Sequence, residues 1–103
     1  MQNYFIYILT NKKKTVLYTG VTNNIKRRIF EHKEDSLGAK KTFAGKYNCI
    51  FLIYYERFQF IEHAIKREKK IKGWLRSKKE NLISEFNPKW EFLNDKVGTF
   101  LSN

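Results

Sequence analysis

The sequence predicts one mixed α/β domain in ββαβαα order, and three observations support this. Tyr4 to Thr10 and Val16 to Val21 are short runs rich in aromatic and branched residues, separated by one hairpin loop. A third run of the same kind, Cys49-Ile50-Phe51-Leu52-Ile53-Tyr54-Tyr55, follows after a polar stretch. Around that third strand, apolar residues return at helical spacing. A chain of 103 residues has room for one domain and a modest core, which its 17% aromatic content suits.

In chain order, Asn11 to Thr15 is polar and short enough for a hairpin loop. Thr22 or Asn23 is expected to cap a helix running to about Glu34. Residues 35–47 read as a Lys-rich loop containing glycine, and Asn48 to Glu56 as the third strand. A second helix is expected over Gln59 to Lys72. A third starts at Ser77, where Ser77 and Glu80 have capping-box spacing, and fades near Phe86 before Asn87-Pro88. Trp90, Phe92 and Leu93 are placed to pack back on the domain, and fraying is expected beyond Asn94. The expected organisation is a single domain over 1–94 and a short tail over 95–103.

Charge narrows the partners. Lys and Arg number 21 against 10 Asp and Glu, a net charge of +11. Each phosphate neutralised by such a surface releases counterions, so a nucleic acid is the expected partner. No apolar run reaches membrane-spanning length, no lipidation motif is present, and Met1-Gln2-Asn3 leads straight into a strand-like run rather than a signal peptide. A monomeric cytoplasmic protein with no membrane partner is expected. The single cysteine, Cys49, excludes an internal disulfide and a thiolate zinc cage, and its apolar neighbours point to a buried strand thiol.

Four polar side chains recur closely in the first third of the chain: Tyr7, Tyr18, Arg28 and His32. On the first helix Ile25, Ile29 and His32 share a face, Arg28 stands one turn before His32, and Arg27 points more toward solvent. The plain alternative for Arg28 is a guanidinium lying over the sheet. On the second helix Ile61, Ala64, Ile65, Ile71 and Leu75 make an apolar stripe into which Glu68 falls, while Lys66, Arg67, Lys69, Lys70 and Lys72 sit on or toward the wet face. An inward carboxylate must be paired or bound to a cation. Glu68 therefore either pairs with Arg28 or ligates Mg²⁺, which takes one or two carboxylates plus waters and phosphates. These groups supply what phosphodiester hydrolysis needs. A phenol held near a cation or metal can have its pKa lowered enough to act as a general base, and a metal and an Arg can neutralise phosphate oxygens. One well-placed carboxylate favours a single metal.

At these residues the chain resembles the GIY-YIG nuclease family. Phe5-Ile6-Tyr7 stands for the first element, Tyr18-Thr19-Gly20 for the second, Arg28 to His32 for the Arg-x-x-x-His helix, and Glu68 for the acidic residue. The similarity spans about residues 3 to 93, and is greatest to small stand-alone bacterial proteins related to the excision-repair nuclease domain. It implies a three-stranded antiparallel sheet with flanking helices, and DNA cleavage dependent on Mg²⁺ or Mn²⁺. It further implies that Tyr7 is the general base, that Tyr18 supports the phosphate or that base, and that Arg28 stabilises transition-state charge. His32 would position the phosphate or leaving group, and Glu68 would hold the metal. Gly20 resembles the family glycine that permits close approach. Asn87 resembles a polar residue near the family site. Phe5 and Thr19 depart from the pattern without removing a catalytic group, and they place the chain outside the restriction and homing branches.

Lys12, Lys13 and Lys14 cluster at the hairpin tip; Lys40, Lys41 and Lys46 line the loop; Arg27, Lys66, Lys69, Lys70 and Lys72 extend the positive surface. The set reads as a groove that tracks a phosphate backbone. Phe43, Tyr47 and Trp74 either stack on an unpaired base or belong to the core, and His63 has no assigned role. The leading expectation is an endonuclease that nicks DNA with little sequence specificity. Branched or single-stranded DNA and RNA remain open as substrates, and DNA repair or recombination as the setting. The alternative is a catalytically weak nucleic-acid-binding module of the same fold.

Overall fold

Alternate residues of the first strand face two different cores. In the computed structural model, which describes residues 3–38 and 43–100 (the last three by backbone alone), β1 (Tyr4–Thr10) lies between β2 (Leu17–Thr22) and β3 (Phe51–Phe58). Both pairings are antiparallel, with Tyr7 opposite Gly20 on one side and Tyr55 on the other. Because side chains alternate along a strand, Phe5, Tyr7 and Leu9 share one face while Ile6 and Ile8 share the other. The first face is covered by Ile25 and Ile29 of α1 (Ile25–Leu37), with Ala44 of α2 (Phe43–Lys46) and Leu93. The second is covered by Ala64 and Ile71 of α3 (Ile61–Lys72) and Ile83 of α4 (Arg76–Phe86). This is the expected mixed α/β class, with two short helices added.

One added helix, α2, stands in the stretch expected to be a loop. It ends at Lys46, the φ of 57° at Asn48 then turns the chain, and the Cys49 N–H donates to the Ala44 carbonyl at 2.8 Å. The turn delays β3 to Phe51, so Cys49 is buried as expected but precedes the strand, and burial pushes its thiol up to about 11. The second addition, α5 (Asn94–Phe100), begins where fraying was expected, and its Val97 enters the core. The preceding segment ties down the outer edge of β3. Leu93 N–H donates to the Leu52 carbonyl, Asn94 Oδ1 accepts from the Leu52 N–H, and Asn87 Nδ2 donates to the Ile53 carbonyl. Phe92 stacks on Phe51, and Trp90 Nε1 donates to Ser84.

Two expected caps differ. Asn24, not Thr22 or Asn23, caps α1 by accepting from the Arg27 N–H at 3.0 Å, while Thr22 Oγ1 accepts from the Asn24 N–H. No Ser77–Glu80 box forms, because α4 starts at Arg76 and Glu80 is engaged by Arg76 Nε. On α3 the buried face is rotated from the expected stripe. Ile65 is at the exposed margin and Leu75, past the helix end, is 79% exposed, whereas Arg67 turns inward onto Glu56. Among the described residues no helix is long and apolar enough to cross a membrane.

Candidate active site

Tyr7, Tyr18, Arg28 and His32 meet on the α1 face of the sheet. Strand β1 points Tyr7 at α1, and the cross-strand neighbour that would block its ring is Gly20. A Cβ on Gly20 would fall inside the hydroxyl, Cζ and Cε2 of Tyr7. The close approach is thus made by a side chain across the pair, not by a turn. Helix α1 sets Arg28 and His32 one turn apart, both reaching the Tyr7 hydroxyl.

That hydroxyl is bracketed. His32 Nε2 is 3.0 Å from Tyr7 Oη, and Arg28 Nε donates to the same oxygen at 3.4 Å. His32 is buried at 3% exposure, and burial followed by the charge of Arg28 lowers its pKa from 6.5 to about 4. The ring is therefore neutral near pH 7, and Nε2 accepts from Tyr7 Oη–H in the tautomer that this pairing requires. His32 thus engages Tyr7 through Nε2. Tyr7 itself is 1% exposed, and burial outweighs the Arg28 hydrogen bond, so its phenol is pushed up to about 12. In the free protein this is opposite to the lowering expected of a phenol near a cation. Tyr18 is half-buried and completes a three-ring cluster, 5.2 Å from His32 edge-on and 6.3 Å from Tyr7.

Glu68 is turned inward, with its side chain 15% exposed, and its charge is felt at Tyr7, where it raises the phenol pKa. Its partner is Lys72 Nζ at 3.1 Å rather than Arg28, whose Nη1 goes to Glu31 at 2.9 Å. Glu31 was missed in the sequence, though its i+3 spacing from Arg28 is the usual signal for such a pair. A second unforeseen group lies on the far face. Tyr54 donates to Glu56, which Arg67 grips through Nε and Nη2, and Arg67 also lies over the Trp74 ring. Among the described residues no cluster of three metal-ligating side chains occurs.

Of the expected basic residues, Lys12, Lys13, Arg27, Lys46, Lys66, Lys69, Lys70 and Lys72 are exposed. Lys14 is half-buried over the Phe92 ring, and Lys40 and Lys41 lie outside the described residues. Arg76 Nη1 and Nη2 donate to the carbonyls of Thr15 and Lys14, which clamps the basic hairpin tip to the start of α4. Asn87 is buried, with both amide ends on backbone groups, an anchoring position beside Ile53.

His32 is expected to make the fold sensitive to acid. Its folded pKa lies below the unfolded value, so its contribution is fully present above about 6.5 and is lost as pH falls toward 4. About 3 kcal/mol of stability is expected to disappear over that interval. Urea unfolding of wild type and His32→Gln at pH 7 and pH 4.5 measures it. An equal loss in the variant would assign the effect elsewhere.

The sheet of order β2-β1-β3 thus carries the Tyr7–Arg28–His32 group on its α1 face. The family model for the GIY-YIG catalytic domain matches residues 3–81, and the chain belongs to the GIY-YIG family. It is similar to a UPF0213 protein of Natronomonas pharaonis, 39% identical over 83 residues covering 81% of this chain and 93% of the relative. A UPF0213 protein of Staphylococcus saprophyticus is 40% identical over 85 residues, covering 82% and 99%. The solution NMR structure of a UPF0213 protein from Bacillus halodurans superposes with a TM-score of 0.51 at 30% identity, covering 97% of this chain and 99% of that one.

Proposed function

We propose that the protein is a metal-dependent endonuclease that hydrolyses DNA phosphodiester bonds, nicking with little sequence specificity. The observation that carries this reading is the Tyr7 hydroxyl held between Arg28 and His32 within the field of Glu68. A structural core gains nothing from drawing a buried phenol, a guanidinium and an imidazole to one point. The 3.4 Å Arg28 contact is the weak one, and that side chain is 38% exposed. A phosphate that takes the guanidinium releases the lone pair of Tyr7 Oη. Tyr7 then accepts a proton from the attacking water as its own passes to His32 Nε2, while Arg28 offsets charge on the phosphate oxygens.

Glu68 fits a divalent ion of the Mg²⁺ or Mn²⁺ type. It offers one inward carboxylate whose present partner, Lys72, is an exposed and movable chain, and such ions complete their shell with water and phosphate oxygens. The metal would supply Lewis-acid stabilisation of the phosphate. With one site per chain, a monomer cuts one strand at a time. DNA repair and recombination are processes in which such nicks arise. The burial of Tyr7 and its high pKa are the observations that favour the alternative, a module that binds nucleic acid and turns it over weakly.

Incubation with supercoiled, single-stranded and branched DNA tests the proposal. Cutting is expected with Mg²⁺ or Mn²⁺ and not with EDTA. With about six phosphate contacts, log–log salt dependence of duplex binding should have a slope of roughly −5. Binding without cutting of any of the three DNAs would leave the inert module.

A further inference from the structure

A row of rings leaves the site and continues into water. Tyr18 stacks on Phe43 at 6.2 Å and 25°, and Phe43 meets Tyr47 at 4.8 Å. Phe43 is 53% and Tyr47 41% exposed, although Ala44 and Gly45 between them are buried. Lys46 Nζ lies 5.5 Å above the Tyr47 ring.

The segment that carries these rings is pinned. Gly45 packs so closely on α1 that an added Cβ would meet the Asp35 backbone carbon at 3.2 Å and overlap its carboxylate. Ala44 accepts from the Cys49 N–H, and the left-handed Asn48 turns the chain back into the core. A fixed turn therefore holds two large apolar rings outward, which costs hydrophobic burial and calls for an occupant. Trp74 differs, being half-buried and already covered by Arg67 and Lys78.

We propose that Phe43 and Tyr47 form a stacking platform for an unpaired base adjoining the phosphate held at Tyr18 and Arg28, so that the site prefers single-stranded or frayed nucleic acid. The choice of occupant rests on continuity with the catalytic rings and on the cation above Tyr47. A base offers a π-face to the rings and a phosphate to the lysine, whereas a paired base keeps its faces within the duplex. The inference rests on the nuclease reading only for the position of the phosphate.

Binding without metal tests it separately from cleavage. A 2-aminopurine oligonucleotide and its matched duplex are titrated in EDTA into wild type, Phe43→Leu, Phe43→Ala and Tyr47→Ala, each checked for folding by thermal melt. Wild type is expected to bind the single strand more tightly and to quench its fluorescence. Phe43→Leu, which keeps an apolar contact with Tyr18 but has no π-face, should lose roughly tenfold in single-strand affinity, with duplex affinity nearly unchanged. Equal binding of both forms by wild type, or unchanged quenching by Phe43→Leu, would overturn the platform and leave the nuclease reading intact. Binding of neither form would overturn both.

Discussion

Tyr7→Phe is expected to lower the single-turnover cleavage rate by roughly 10²–10⁴-fold while leaving the fold in place. The ring stays, so the packing against Gly20 and Tyr18 is kept, and only the hydroxyl between Arg28 and His32 is lost. His32 Nε2 then has no partner in the described structure, a cost of about 1–3 kcal/mol that a thermal melt will register. The pH profile separates a proton carrier from a spacer. The relay ends on His32 Nε2, which must be neutral to take the proton, so the wild-type rate should rise as pH climbs through about 4 and level off toward pH 7, and Tyr7→Phe should lose that rise. A variant that cuts at the wild-type rate would pass the role of base to Tyr18 or to a metal-activated water.

Gly20→Ala should damage both stability and turnover. The new methyl would overlap the Tyr7 hydroxyl and ring, which at 1% exposure cannot swing into solvent. Overpacking of this kind costs roughly 1–3 kcal/mol, and here the displaced atom is the one proposed to move protons. Activity is therefore expected to fall further than the fraction of unfolded protein explains, with the excess in kcat rather than KM. Thermal melts and kinetics on the same sample check this. Loss of activity that merely tracks unfolding would make Gly20 a packing residue alone.

Strand alternation put Tyr7 on one face, and helical spacing set Arg28 beside His32, so most of the cluster could be read before any coordinates. Glu68 stood out for a similar reason, as an acid within an otherwise apolar stripe. What escaped depends on contacts between distant segments. Glu68 pairs with Lys72 rather than Arg28 on a helix α3 whose Arg67 turns in to Glu56 of β3, and that contact between distant segments is not visible in helical spacing. The short helices α2 and α5 escaped because four and seven residues carry little periodicity, and both lean on tertiary contacts at Ala44 and Val97. The direction of the Tyr7 shift was unreadable too, since it turns on how completely α1 covers the phenol.

In the proposed reaction a divalent metal at Glu68 and the Tyr7 hydroxyl act on one phosphate. Nicking of supercoiled plasmid across a Mn²⁺ titration, with Glu68→Ala and wild type side by side, tests it most directly. Wild type should nick with a saturable dependence on metal, and the variant should bind the plasmid but fail to nick it even at high metal. Undiminished, metal-dependent nicking by Glu68→Ala would contradict the assignment of the metal to this carboxylate.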